Sequence, residues 1–304
     1  MARRQHLEES VVLIDGPWTH RDVSANGIRL HAVEAGTGPL VVLLHGFPGF
    51  WWSWRHQLAA LAAAGYRAVA CDLRGYGASD KPPRGYDPMT AAADVAGLIR
   101  ALGEDTAVLV GHDWGGNIAW TTAALHPQLV TRLVVVADPH PLRWLPAVAT
   151  DRHQRWATRH VGRFQLPWHP ERWLVADDAA NVAQLLRQWS GSRHSFGDDE
   201  RRYRDAMQIF GVPHCALEYF RWAVRSIPRS DGRLFRHGLR ARIGVPTLQI
   251  HGADDSCVLA ATAEGSSRYV AAPYEWRLLD EVGHFPPEEA PDVVSRDIIG
   301  WLAR

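Results

Sequence analysis

The chain has 304 residues, enough for one large domain or for a core domain carrying an insertion. Lys plus Arg number 33 and so do Asp plus Glu, so the formal net charge is zero and nothing points to a nucleic-acid partner. The polar start "MARRQHLEES" has no apolar run behind it, and no stretch reaches the roughly 18 apolar residues of a spanning helix, so neither a signal peptide nor a membrane span is expected. Cys71, Cys215 and Cys257 are odd in number and widely separated, which suits reduced thiols in the cytoplasm better than disulfides or a zinc site. No metal or other cofactor is expected.

The first third alternates strand and helix patterns. "LVVLLHG" (40–46) is a continuous apolar run, as a strand buried on both faces requires. A helix pattern, "SWRHQLAALAAAGY", ends at Gly65; "RAVACDLRGYG" is a strand and loop, and "MTAAADVAGLIRALG" is a helix closed by Gly103. "TAVLVGHDWGG" then runs into the helical "NIAWTTAALHP", and "TRLVVVADPHP" supplies another strand. Such alternation predicts a mostly parallel central sheet flanked by helices. From 140 to 235 the pattern is helical, Arg- and Trp-rich, without a buried-strand run. Strand–loop patterns resume at "VPTLQIHGADD" and "YEWRLLDEVGHF", before a final amphipathic helix, "DVVSRDIIGWLAR". The expected organisation is a core of 1–139 and 236–304 with a helical cap at 140–235.

The chemistry gathers in four segments. In "GHDWGG" small residues surround Asp113 at a strand-to-helix turn, the form of a nucleophile elbow, which also aims a helix N-terminus at the carboxylate. An Asp capping a helix would look similar in isolation. "HGFPG" (45–49) follows a buried strand, where the N–H of Phe47 can join that of Trp114 in an oxyanion hole. "IHGADDSCV" places Asp254 and Asp255 after a late strand, and "EVGHFPP" places His284 before the last helix. The chain order is nucleophile, acid, histidine. His45 and His112 are expected to be structural members of their motifs, and Asp138 a loop-capping residue.

With these motifs, together with "CDLRGYGASDKP", "DPHP", "FQLPWHPERWL" and "LEYFRW", nearly the whole chain resembles the α/β-hydrolase superfamily and, within it, the epoxide hydrolases. The resemblance implies an α/β-hydrolase fold with a cap, no cofactor, and a small-molecule substrate plus water as reactants. The family's Gly-x-x-Asp spacing, counted from Gly252, favours Asp255 over Asp254 as the acid that orients His284. An Asp nucleophile implies alkylation: a carboxylate attacks an sp³ carbon bearing a leaving group, and water activated by His284 then hydrolyses the ester. Some dehalogenases carry the acid at the position of Asp138.

The resemblance also sets a departure. Epoxide hydrolases usually present two cap tyrosines to the epoxide oxygen. Alignment on Phe-Gln puts His160 at the first position, and alignment on Phe-Arg puts Phe220 at the second, beside Tyr219. His160 and Tyr219 are therefore the candidate oxygen donors, with Tyr203 a weaker one. An Asp-nucleophile dehalogenase acting on haloalkanes or haloacids is the alternative, and a non-catalytic binding protein of the same fold is the second. The expected substrate is apolar, with an aromatic body compatible with the sequence, and Phe47, Trp51, Trp52, Trp114, Trp168, Trp189 and Phe220 are the pocket candidates. A homodimer through an exposed apolar cap face is compatible with the sequence.

Overall fold

A computed structural model of the chain describes residues 6–304. Among them, eight strands form one sheet: β1 (Thr19–Ala25), β2 (Ile28–Ala35), β3 (Leu40–Leu44), β4 (Arg67–Cys71), β5 (Ala107–His112), β6 (Val130–Val136), β7 (Thr247–Gly252) and β8 (Tyr274–Leu279). Their spatial order is β1-β2-β4-β3-β5-β6-β7-β8. The pairings β1–β2 and β2–β4 are antiparallel, and all others are parallel. Every residue of β3, β5 and β7 is buried, and β3 and β5 accordingly read as near-continuous apolar runs, whereas β7 also buries Thr247, Gln249 and His251. Helix Pro88–Ala101 packs on Trp114–Leu125, and Arg55–Ala63 packs on Pro291–Leu302.

The antiparallel edge, β1 and β2, was not among the strands expected from sequence. Its signal is the Asn26-Gly27 pair: both residues have positive φ, 49° and 78°, and join two strands whose register closes at Ala25↔Ile28. Asn-Gly with that geometry is the favoured two-residue hairpin turn.

Between β6 and β7 the described residues contain helices and no strand of the sheet, from Pro141–Thr150 through Ser230–Gly238. The last of these helices runs past the boundary of 235 expected above. This segment is tied to the core by a partly buried polar cluster. Arg55 donates to Asp199 at 2.8 Å and to Glu288 at 2.7 Å, Trp52 Nε1 donates to Asp199 at 3.1 Å, and the Tyr203 hydroxyl donates to Glu288. Tyr203 is fully buried in that cluster, so it does not serve as the oxygen donor considered above.

The strand order sets the position of the site. After β3 the chain adds β4 on one side, then crosses back to add β5 on the other. Loops leaving β3 and β5 therefore diverge at their carboxyl ends and open a crevice, the usual ligand position in an open parallel sheet.

Candidate active site

Asp113 directly follows β5 and has φ 50° and ψ −119°, a conformation that L-residues rarely adopt. Backbone strain of this kind costs on the order of 1–3 kcal/mol and is found where a side chain must be presented. The turn can be this tight because its neighbours lack side chains: a Cβ on Gly115 would lie 2.1 Å from the Leu44 carbonyl oxygen. A Cβ on Gly46 would lie 2.4 Å from the Asp113 Cβ. The β3 loop thus comes close enough for the Phe47 N–H to donate to Asp113 Oδ2 at 2.8 Å. Trp114 opens the following helix, so its N–H has no intrahelical acceptor. Burial pushes the Asp113 carboxyl up, but His284 and the Phe47 N–H outweigh it and hold the group below the usual carboxylate range.

Opposite Asp113, His284 is fully buried at the end of the β8 loop. Its Nδ1 donates to Asp255 Oδ2 at 2.8 Å, and its Nε2 faces Asp113 Oδ1 across 3.6 Å. The main chain of His284 is held at both ends: its N–H donates to the Trp189 carbonyl at 2.8 Å, and its carbonyl accepts from His112 Nε2 at 2.7 Å. Burial lowers the His112 imidazole to about 4, which keeps this support neutral. Burial also acts to lower His284, but the charges of Asp255 and Asp113 prevail and raise it to about 10.

Asp255 is buried after β7, whereas Asp254 beside it is exposed. Asp255 Oδ1 accepts from the N–H groups of Cys257 and Val258, both at 2.8 Å, and Oδ2 also lies 3.3 Å from His251 Nε2. Burial opposes ionisation here too, yet the His284 and His251 imidazoles hold the carboxyl far below its ordinary value. His45 sits in the β3 loop, with Nδ1 donating to Gly46 O at 2.9 Å and Nε2 accepting from Leu73 N at 3.0 Å, a bracing role for the loop that carries Phe47.

Above the carboxylate lies a cavity of about 320 Å³ reaching under the cap, lined by Asp113, Trp114, Asn117, Asp138, Leu142, Trp144, Leu145, His160, Phe220 and Trp222 among others. Of the aromatic residues expected there, Trp114 and Phe220 line it. Phe47 stacks edge-on against Phe220 at 5.2 Å, behind the wall. Trp189 packs against His160 at 4.9 Å and His284 at 5.7 Å. Trp51 and Trp168 are corrections. Trp51 is fully buried in the core, its Nε1 donating to Val12 O at 2.8 Å, and Trp168 is 75% exposed. Trp52 turns away as well, into the cluster with Asp199. The lining residues Trp144 and Trp222 escaped the sequence reading because Trp in a helical segment has no local mark that separates pocket from core.

The two oxygen-donor candidates fare differently. Tyr219 is fully buried and spends its hydroxyl on the Arg74 carbonyl at 3.0 Å, packed among Tyr76, Tyr86 and Trp114. It is therefore corrected from donor to core residue. His160 does line the cavity. Its Nδ1 donates to Ala157 O at 3.2 Å, and burial lowers its imidazole to about 4, leaving it neutral with Nε2 as an acceptor. Among the described residues, no group of three or more His, Cys, Asp and Glu side chains is arranged to hold a metal ion, and no helix is long and apolar enough to cross a membrane.

The site can thus present an ionised carboxylate, two N–H donors beside it and a histidine braced by a second carboxylate. Residues 39–291 match the family described as the alpha/beta hydrolase fold. The chain is 35% identical over 290 residues to epoxide hydrolase 3 of Xenopus tropicalis, covering 91% of this chain and 75% of that one. A solved epoxide hydrolase from an endophytic Streptomyces superposes with a TM-score of 0.81 at 32% identity, covering 95% and 96% of the two chains. The Bacillus megaterium epoxide hydrolase in complex with an inhibitor superposes with a TM-score of 0.84 at 27% identity, covering 93% of this chain and 100% of that one.

Proposed function

The chain belongs to the α/β-hydrolase fold family and is a hydrolase, and from that premise we propose that it converts an apolar epoxide to a vicinal diol through an ester on Asp113. The observation that carries this reading is the strained elbow, where one Asp113 oxygen accepts the Phe47 N–H and the other faces His284 Nε2. A serine at the elbow would suit a carbonyl carbon; a carboxylate displaces a leaving group from a saturated carbon with no base to activate it. An Asp113 oxygen bonds to an epoxide carbon, that carbon's bond to the ring oxygen breaks, and the ring oxygen takes up a proton. His160 is a titratable cap side chain on the cavity, and as an acceptor it orders the water that supplies this proton.

Esterification also changes His284. The resting site holds two carboxylates around the imidazole, which is why its pKa is raised to about 10. Forming the ester removes the Asp113 charge 3.6 Å from Nε2, so the imidazole loses its proton and becomes a base. That proton balances the one taken up by the ring oxygen. His284 then deprotonates a water that adds to the Asp113 carboxyl carbon, while Phe47 and Trp114 N–H groups stabilise the oxyanion. Collapse releases the diol and restores the carboxylate. Asp255 keeps the imidazole oriented with Nε2 toward the water. The apolar walls, Trp114, Trp144, Phe220 and Trp222, suit a substrate with a hydrocarbon or aryl body.

The test is a product assay with styrene oxide-type epoxides, run beside haloalkanes and fluoroacetate, followed by single turnover in ¹⁸O-water. Diol whose new hydroxyl oxygen is unlabelled in the first turnover supports attack by Asp113. Halide release instead moves the assignment to a dehalogenase. No turnover of any of these substrates counts against the apolar-epoxide assignment and directs the search to a narrower substrate of the same hydrolase.

A further inference from the structure

A second carboxyl group opens on the same cavity and has no part in the chemistry above. Asp138 follows β6, one residue beyond Ala137, whose φ of 53° is a strained value for a residue with a Cβ. It is 8% exposed, lines the cavity with Asp113, and its Oδ2 is buried without a hydrogen-bond partner among the described residues.

Two ordinary roles for such a residue are closed. An Asp at the start of a loop normally accepts from N–H groups one to three residues ahead. Here residues 139 and 141 are prolines with no N–H, and the N–H of His140 donates to Ser266 Oγ at 2.9 Å. The other role, orienting His284, is filled, since His284 Nδ1 donates to Asp255 Oδ2. Burial, and next the charge of Asp113, push the Asp138 carboxyl well above its ordinary range, which favours the protonated acid, a group with one O–H to give and a carbonyl oxygen to accept. Asn117 adds to the same wall a side-chain Oδ1 that is buried and unpartnered.

We propose that Asp138 forms a polar subsite in this otherwise apolar cavity and recognises a hydroxyl group on the body of the substrate. A hydroxyl can accept from or donate to the carboxyl, whichever role the oxygen facing the cavity takes, which a hydrocarbon substituent cannot do. A site with a buried, unpaired polar group discriminates strongly against the analogue that leaves it unpaired. The substrate class is therefore a hydroxylated aryl or alkyl epoxide. This inference rests on the epoxide reading for the reactive group but not for the subsite.

The experiment has two arms on full-length wild type, Asp138→Leu and Asp138→Asn. In the kinetic arm, kcat/KM is compared for meta- and para-hydroxymethyl styrene oxides and their ethyl isosteres. In the binding arm, 4-ethylbenzyl alcohol and 1,4-diethylbenzene, neither of which can react, are titrated against tryptophan fluorescence, to which Trp114, Trp144 and Trp222 in the wall contribute. Wild type is expected to favour the hydroxylated member of each pair by about tenfold or more. Asp138→Leu should abolish the preference, and Asp138→Asn, which keeps a donor and an acceptor, should retain most of it. Equal binding of the two ligands by wild type, or the same preference in Asp138→Leu as in wild type, overturns the proposal. Absence of epoxide turnover with the binding preference intact and Asp138-dependent refutes the epoxide reading while supporting the subsite. Thermal unfolding of each variant, read beside the ratios, excludes loss of fold as the cause, and a ratio restored in Asp138→Asn supports the subsite directly.

Discussion

The loops after β6 and β7 lie side by side at the carboxyl end of the sheet, and each delivers a buried aspartate, yet the two carboxyls are shifted in opposite directions. Asp255 meets two backbone N–H groups and two imidazoles and is ionised. Asp138 meets prolines and a committed N–H and is pushed toward the protonated acid. Burial pushes both the same way, so burial does not decide the charge; the local supply of donors does. One loop makes a carboxylate that serves a histidine, and the other makes an acid with a hydrogen bond left to give.

The strongest way to break this comparison acts on what Asp255 supports. Asp113→Asn should cost at least about 10⁴ in turnover, as expected for losing the only nucleophile. In contrast, His284→Gln should allow the first step and trap the ester, seen by intact mass as a gain equal to the substrate. Full turnover by the His284→Gln variant would remove the two-step chemistry. Asp255→Asn should cost about 10³–10⁴ in kcat by leaving the imidazole wrongly oriented, and pre-steady-state kinetics should place the loss in ester hydrolysis rather than in its formation.

Smaller effects sharpen the contrast through stability. The folded-state pKa of Asp138 lies above its unfolded value, so the residue favours the fold only below the unfolded pKa and costs stability as pH rises past it. Asp138→Leu should therefore stabilise at neutral pH, on the order of 1–3 kcal/mol, with the gain shrinking as pH falls below about 4. Denaturant unfolding across pH 3–8 measures it, and a pH-independent difference would contradict the neutral-acid assignment. His284 is likewise raised, to about 10, so its stabilising contribution is full below about 6.5 and is lost as pH climbs toward 10. Unfolding titrations of wild type extended to pH 10 should show that alkaline decline, and those of His284→Gln should lack it. Smallest of all, Asp254→Ala at the exposed neighbour of Asp255 should change stability by no more than about 0.5 kcal/mol.

Which features were legible beforehand follows from how local their physics is. Buried parallel strands write themselves largely as apolar runs, so β3, β4, β5 and most of β6 and the alternating helices could be read directly. The strand β7 was read from Pro246 before it, Gly252 at its end, and its Leu and Ile. A tight elbow demands small residues around Asp113, and the order of Asp113, Asp255 and His284 along the chain matched that of a known family. The hairpin β1–β2 was equally local, written in Asn26-Gly27, and went unread.

The amino-acid sequence by itself determined the layered sheet, the elbow and the residues able to do the chemistry, because backbone sterics and hydrophobic periodicity act within a few residues. Only the tertiary structure decided which side chains face the cavity. Tyr219 and Phe220 are neighbours on one helix, and helix rotation alone sends the first to the Arg74 carbonyl and the second to the cavity wall. The charge of Asp138 was likewise out of reach of its own segment. It depends on Ser266 having claimed the His140 N–H, and on Asp255 having claimed His284, from parts of the chain more than a hundred residues away.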